Sequence, residues 1–138
     1  FLNFVLFKPL FLMIDINKQI DYWIKGATND LGTAEILLAA GKNIEGLFFC
    51  HLTIEKSLKA LVVKNTNQLA PKSHNLIYLS ELSKISLTED NTTFLSVLMK
   101  YQIEGRYPEY LPKVPSSEVA KDYFCKTKEL FECLRKML

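Results

Sequence analysis

Apolar residues recur at intervals of three and four along most of this sequence, and no segment shows the alternation typical of a β-strand. This spacing places the apolar side chains on one face of an α-helix, and each such face must be buried against another helix. We therefore predict an all-α fold in which five amphipathic helices form a bundle. A chain of 138 residues is long enough to give one domain a sizeable core.

Turn-forming and capping residues predict where each helix begins and ends. The first helix is expected over 16–38, with a stop at Gly41, and the second over about 44–63. The third is expected to be capped by Ser73 and to reach Ile85, and the fourth to be capped by Thr88 and to reach Ile103. The fifth is expected to be capped by Ser116 or Ser117 and to reach Met137. Val119 is expected on the inner face of the last helix. Gly26 and Gly32 are expected to permit close helix packing, and 109–115 to form an extended loop.

The first twelve residues are strongly apolar but are interrupted by Lys8 and Pro9. The run is shorter than the roughly 20 residues that span a bilayer, and it lacks the pattern of a signal peptide. We expect 1–12 to be an extension outside the domain, with Met13 as the natural start and 13–138 as a single domain. An anchor at the membrane surface is the alternative interpretation, whereas the preferred one involves no membrane.

Charge and cysteine content narrow the functional classes only slightly. A net charge of +2 is too small to predict a nucleic-acid partner and does not exclude one. Three cysteines without CxxC spacing favour a reducing compartment, and so a cytoplasmic protein, over a secreted disulfide framework. With only two histidines in the chain there is no zinc-ligand spacing, and we expect no metal.

Three polar residues interrupt the apolar side of the second predicted helix. His51, Glu55 and Lys59 follow one another at intervals of four, among leucine, isoleucine and valine positions. Such a row is costly unless it is paired or faces a ligand, and the spacing predicts a bond from His51 to Glu55 that raises the pKa of His51. The row either lines a binding or catalytic groove between helices, or forms a satisfied buried network or a subunit interface.

A second candidate site is the segment 72–75, which leads from a proline turn into a helix N-terminus. Lys72, the polar pair His74 and Asn75, and the free backbone N–H groups of the helix suit an anion such as phosphate. The alternative is ordinary helix capping, with His74 packed locally.

A third candidate site is the segment 101–110. Arg106 suits phosphate or carboxylate, and Tyr107 and Tyr110 are suited to stacking on a base. The alternative is an ion pair from Arg106 to Glu104 or Glu109 that holds a helix end.

The three segments, in this order, resemble the HEPN domain family (higher eukaryotes and prokaryotes nucleotide-binding). The residues that carry the resemblance are His51-Leu-Thr-Ile-Glu55-Lys56-Ser-Leu-Lys59-Ala-Leu, then Pro71-Lys-Ser-His74-Asn75-Leu76, then Glu104-Gly-Arg106-Tyr107-Pro108-Glu109. The similarity extends from about Ile20 to Leu134. It implies an antiparallel bundle of four to five helices, often a homodimer joined through helix faces.

The resemblance also implies a range of functions. Members are frequently encoded beside a minimal nucleotidyltransferase and bind it, in some cases as toxin–antitoxin pairs; some resemble nucleotide binders, and some are metal-independent ribonucleases. In the ribonuclease branch an Arg, usually followed by a polar residue, has a His within about two helical turns. Here Tyr107 follows Arg106 and no His occurs after His74, so the dyad is incomplete and we rank a binding module above an enzyme.

The leading hypothesis is a cytoplasmic homodimer that binds ATP or GTP, or that serves as the helical partner of a nucleotidyltransferase, with no cofactor or metal. Its predicted ligand-binding residues are His51, Glu55, Lys59, His74, Asn75, Arg106, Tyr107 and Tyr110. In this hypothesis Arg106 and Lys59 hold phosphate, the two histidines hydrogen-bond the ligand, and a tyrosine stacks on the base. The alternatives are a metal-independent ribonuclease toxin and a purely structural dimeric protein.

Overall fold

The computed structural model describes residues 14–138, which form five α-helices and no strand. The helices are α1 (Ile16–Ala39), α2 (Asn43–Thr66), α3 (Leu76–Leu82), α4 (Glu89–Met99) and α5 (Ser117–Arg135), with a 3-10 turn at Pro108–Tyr110. The predicted all-α bundle is confirmed. The expected extension at 1–12 lies outside the described residues. Among the helices of residues 14–138, none is long and apolar enough to cross a membrane.

Helix α2 lies at the centre of the bundle and packs against all four other helices. Every residue from Ser57 to Val63 is buried, so this part of α2 has no solvent-facing side. The core around it is built mainly from leucines of every helix except α1, which include Leu47, Leu58, Leu61, Leu76, Leu79, Leu95, Leu98, Leu130 and Leu134. Polar residues on such a helix must find their partners inside the protein.

Local capping signals set most of the helix starts. The side chains of Thr88 and Ser116 accept hydrogen bonds from the backbone N–H of Asn91 and Val119, as predicted for α4 and α5. The predicted cap at Ser73 is wrong, because α3 begins later and Asn75 caps it by accepting from the N–H of Tyr78.

Helix ends differ more from the prediction, because tertiary packing decides them. Helix α3 ends at Leu82 and α4 at Met99, so Ile85 and Ile103 lie in loops, and Met137 lies beyond the end of α5. The segment expected to be an extended loop begins within the 3-10 turn. Val119 is exposed rather than inward, since Ala120 takes the inner position and the next residue along a helix points about 100° away.

Of the two glycines expected to permit close helix packing, Gly26 does so and Gly32 does not. A Cβ on Gly26 would lie 3.1 Å from Cδ of Lys56, which agrees with the predicted close packing, but a Cβ on Gly32 would meet nothing within 4 Å. The closest approach is at Gly46, where a Cβ would lie 2.6 Å from the side chain of Leu38. Gly41 has a φ of +78° and ends α1 as predicted. Gly26 and Gly46 therefore let α1 and α2 pack closely.

Candidate functional site

The polar row of α2 is entirely buried in the protein. His51 is 0% exposed, Glu55 3% and Lys59 5%. The neighbouring helices cover this side of α2, so water cannot solvate the two charged groups. They must compensate each other.

Glu55 is the centre of this network. Its Oε2 accepts a hydrogen bond from Nζ of Lys59 at 3.2 Å, and its Oε1 accepts one from Nδ1 of His74 at 2.8 Å. Nζ of Lys59 also lies 5.1 Å from the ring centroid of Trp23 on α1, a cation–π distance. Both carboxylate oxygens and the lysine ammonium are thus partnered inside the bundle.

His51 does not make the predicted bond to Glu55. Its Nδ1 lies 3.8 Å from Oε1 of Glu55, too far for a hydrogen bond, and has no bond partner among residues 14–138. Its Nε2 lies 3.1 Å from the backbone oxygen of His74, and since a carbonyl only accepts, Nε2 carries the proton. The predicted rise in pKa is wrong: burial outweighs the attraction of Glu55 and lowers the pKa of His51 to about 4.

His74 joins the loop before α3 to the centre of α2. Its side chain bonds to Glu55 and its backbone oxygen to His51, so two hydrogen bonds fix this residue. The imidazole is nevertheless 52% exposed and reaches the surface. His74 therefore connects the buried network to solvent.

Arg106 holds the chain that follows α4. Its guanidinium donates from Nη1 to the backbone oxygens of Lys100 and Tyr110 at 3.2 and 3.3 Å, and from Nη2 to that of Met99 at 3.3 Å. The oxygens of Met99 and Lys100 lie at the end of α4, where carbonyls lack the usual helical partners and an arginine satisfies them well. No ion pair from Arg106 to Glu104 or Glu109 is present in the described residues, contrary to the alternative interpretation.

Arginine has five N–H donors, and these bonds occupy three. The Nε–H of Arg106 and one N–H of Nη2 have no partner among the described residues. These two donors are available to an anion, and the arginine is exposed.

Two of the three predicted segments meet at one surface groove of about 330 Å³. It is lined by His74, Asn75, Met99, Gln102, Glu104 and Arg106. The buried row does not line this groove but lies against it through His74. The structure does not bring Tyr107 and Tyr110 into the lining, although both rings are exposed on the adjacent loop.

Sequence reasoning missed several residues of the site. Met99 enters the groove at the end of α4, Gln102 enters it from the third candidate segment, where it was not singled out, and Trp23 reaches Lys59 from α1. No spacing signal in the sequence pointed to them, because each is brought in by packing. Within the described residues no group of three His, Cys, Asp or Glu side chains is placed to hold a metal ion.

Known proteins resemble this chain in family and in fold. A family model described as "HEPN domain" matches residues 20–137 of the chain. No curated protein sequence matches it. Among solved structures, the crystal structure of TT1696 from Thermus thermophilus matches with a TM-score of 0.74 and 21% sequence identity, over 87% of this chain and 98% of that one. At that identity the structural match shows a shared fold.

Proposed function

Because the chain belongs to the HEPN domain family, we propose that it is a binding module whose surface groove holds a nucleotide by its phosphates. The observation that supports this proposal is the meeting of His74 and Arg106 in one groove, although 32 positions separate them in the sequence. Two unpartnered N–H groups on a guanidinium suit the oxygens of a phosphate.

The surroundings of Arg106 are also suited to a chain of phosphates. A second groove of about 510 Å³ is lined by Arg106 together with Lys100 and Lys113. A triphosphate bound at Arg106 therefore has two further cations beside it. In this proposal Lys59 and His51, which are buried, support the groove through Glu55 and His74 rather than touch the ligand.

Replacing Arg106 by alanine is expected to weaken ATP or GTP binding by roughly 10- to 100-fold, the range for hydrogen bonds to a charged group. Isothermal titration calorimetry of the wild type and the variant measures this. Arg135→Ala is the matched control, since Arg135 is an exposed arginine at the end of α5 that pairs with Glu132. Circular dichroism checks that the variant is folded. The absence of binding at millimolar nucleotide in the folded wild type would reject the proposal.

A second candidate function is interaction with a minimal nucleotidyltransferase, as one half of a toxin–antitoxin pair. It is favoured by four exposed apolar residues on the loop after Arg106, namely Tyr107, Tyr110, Leu111 and Val114. Exposed apolar clusters of this kind mark protein interaction surfaces. The expected homodimer, joined through helix faces, is a separate proposal that needs no part of this loop.

Co-purification tests this second function. We expect the product of the neighbouring reading frame to co-elute with the chain in gel filtration, and Leu111→Glu with Val114→Glu to abolish co-elution. Val119→Glu is the control, because Val119 is an exposed apolar residue on α5. Co-elution that survives the loop variant would remove the loop from the interface. No co-elution with the wild type would reject the partner.

A further inference from the structure

The bond between His74 and Glu55 fixes which ring nitrogen of His74 carries a proton. Glu55 accepts from Nδ1 of His74 through Oε1, and from the ammonium of Lys59 through Oε2. A carboxylate paired with a lysine has no proton to give, so Nδ1 must be the donor. In the neutral imidazole, Nε2 is then left with a lone pair and no proton.

This lone pair gives the groove two chemically different ends. Nε2 of His74 has no partner among residues 14–138, and the half-exposed ring lines the groove that Arg106 also lines. A bare nitrogen repels phosphate oxygens, which are acceptors, and attracts a neutral N–H or O–H donor. Phosphate therefore belongs at Arg106, and a donor group of the same ligand belongs at His74.

The order of the groups in a nucleotide indicates which donor reaches His74. Because His74 and Arg106 line one groove, the group next to the phosphates lies beside His74 when the phosphates lie at Arg106. In a nucleotide that group is the sugar, whereas the amine of the base lies beyond it. Ribose offers its hydroxyls at this position, and deoxyribose lacks one of them.

We propose that Nε2 of His74 accepts a hydrogen bond from a ribose hydroxyl of the bound nucleotide, which makes the groove selective for ribonucleotides over deoxyribonucleotides. This inference rests on the proposed nucleotide binding and adds its substrate class. Glu55 is the positioning residue, because it holds the imidazole in the form whose Nε2 can accept.

Calorimetry with four nucleotides at pH 8 tests the selectivity. We expect 2′-deoxyATP or 3′-deoxyATP to bind about tenfold more weakly than ATP, the cost of one lost hydrogen bond. Inosine triphosphate, which lacks the adenine amine, is expected to bind as ATP does. Equal binding of ATP and both deoxy analogues would overturn the inference, as would a loss confined to inosine triphosphate.

His74→Ala assigns the selectivity to this side chain. The variant is expected to bind ATP as weakly as the wild type binds the deoxy analogue for which its affinity is reduced. The affinity of the variant for that analogue is expected to equal the affinity of the wild type for it. Glu81→Ala on α3 is the control, since Glu81 is exposed and outside this groove. Selectivity that persists in His74→Ala would show that another residue reads the sugar and would overturn the inference.

Nitrogen-15 NMR of the imidazoles tests the positioning role of Glu55 directly. A glutamine at this position must keep its oxygen toward Lys59, which cannot accept, and so presents its NH₂ to His74. We expect Nδ1 of His74 to be protonated in the wild type and Nε2 in Glu55→Gln. Protonation at Nε2 in the wild type would overturn the inference. Since NMR needs no ligand, failure of all four nucleotides to bind would reject the proposed function separately.

Discussion

Replacing Glu55 by alanine is expected to destabilise the protein by roughly 3–5 kcal/mol, the usual cost of removing one partner of a buried ion pair. Lys59 is only 5% exposed, and the variant leaves its ammonium with the ring of Trp23 as its one remaining partner among the described residues. It also removes the acceptor for Nδ1 of His74. Urea denaturation followed by circular dichroism measures the free energy of unfolding of both proteins.

The double variant Glu55→Met with Lys59→Met is expected to recover most of this loss. Methionine is similar in length to both side chains and needs no partner, and replacing a whole buried pair by apolar residues is often neutral or stabilising. The expected coupling between the two positions is therefore large. A double variant as unstable as Glu55→Ala would contradict a compensated ion pair as the reason for the cost.

An exposed carboxylate provides the comparison for the Glu55 series. Glu132 pairs with Arg135 on α5, with about half of each side chain exposed. Glu132→Ala is expected to change the free energy of unfolding by less than about 1 kcal/mol, because water solvates both charges. A similar loss at Glu132 and Glu55 would mean that burial does not set the cost.

The sequence predicted features of the fold that depend on neighbouring residues. The caps at Thr88 and Ser116 and the stop at Gly41 were correct because capping involves residues within one turn. The helix ends at Leu82 and Met99 were not, because apolar spacing continues past them and the structure ends each helix earlier. Gly46 could not be found either, since its reason is a contact with Leu38 on another helix.

The same distinction applies to the site. Spacing by four correctly grouped Glu55 with Lys59, because both lie on one helix. It predicted a hydrogen bond from Glu55 to His51, whereas Glu55 bonds to His74, because the loop that carries His74 is positioned by tertiary packing. The alternative ion pair from Arg106 to Glu104 or Glu109 was also wrong, because Arg106 bonds to backbone oxygens at a helix end, and a residue pattern does not show such acceptors. The wrong direction for the pKa of His51 followed from the expected bond to Glu55, which the structure does not form, and burial outweighs the remaining attraction of the carboxylate.

Acid is expected to destabilise the protein through His51. The pKa of His51 is about 4 in the folded protein because burial disfavours the charged ring, and near 6.5 when the chain is unfolded. Below pH 6.5 the unfolded chain binds a proton that the folded protein resists, so stability falls as the pH decreases. The fall continues to about pH 4 and amounts to about 3 kcal/mol from this residue, at about 1.4 kcal/mol for each pH unit.

His51→Leu isolates this contribution. Glu55 and the backbone oxygen of His74 favour the charged ring of His51, whereas the His74 side chain and Arg106 disfavour it. All four of these groups remain in the variant, and only the His51 ring is removed. We expect the free energy of unfolding, measured by urea denaturation from pH 7 to pH 4, to fall less in His51→Leu than in the wild type. Parallel pH profiles would mean that His51 binds its proton as readily in the folded protein as in the unfolded chain, and that neighbouring charges offset its burial.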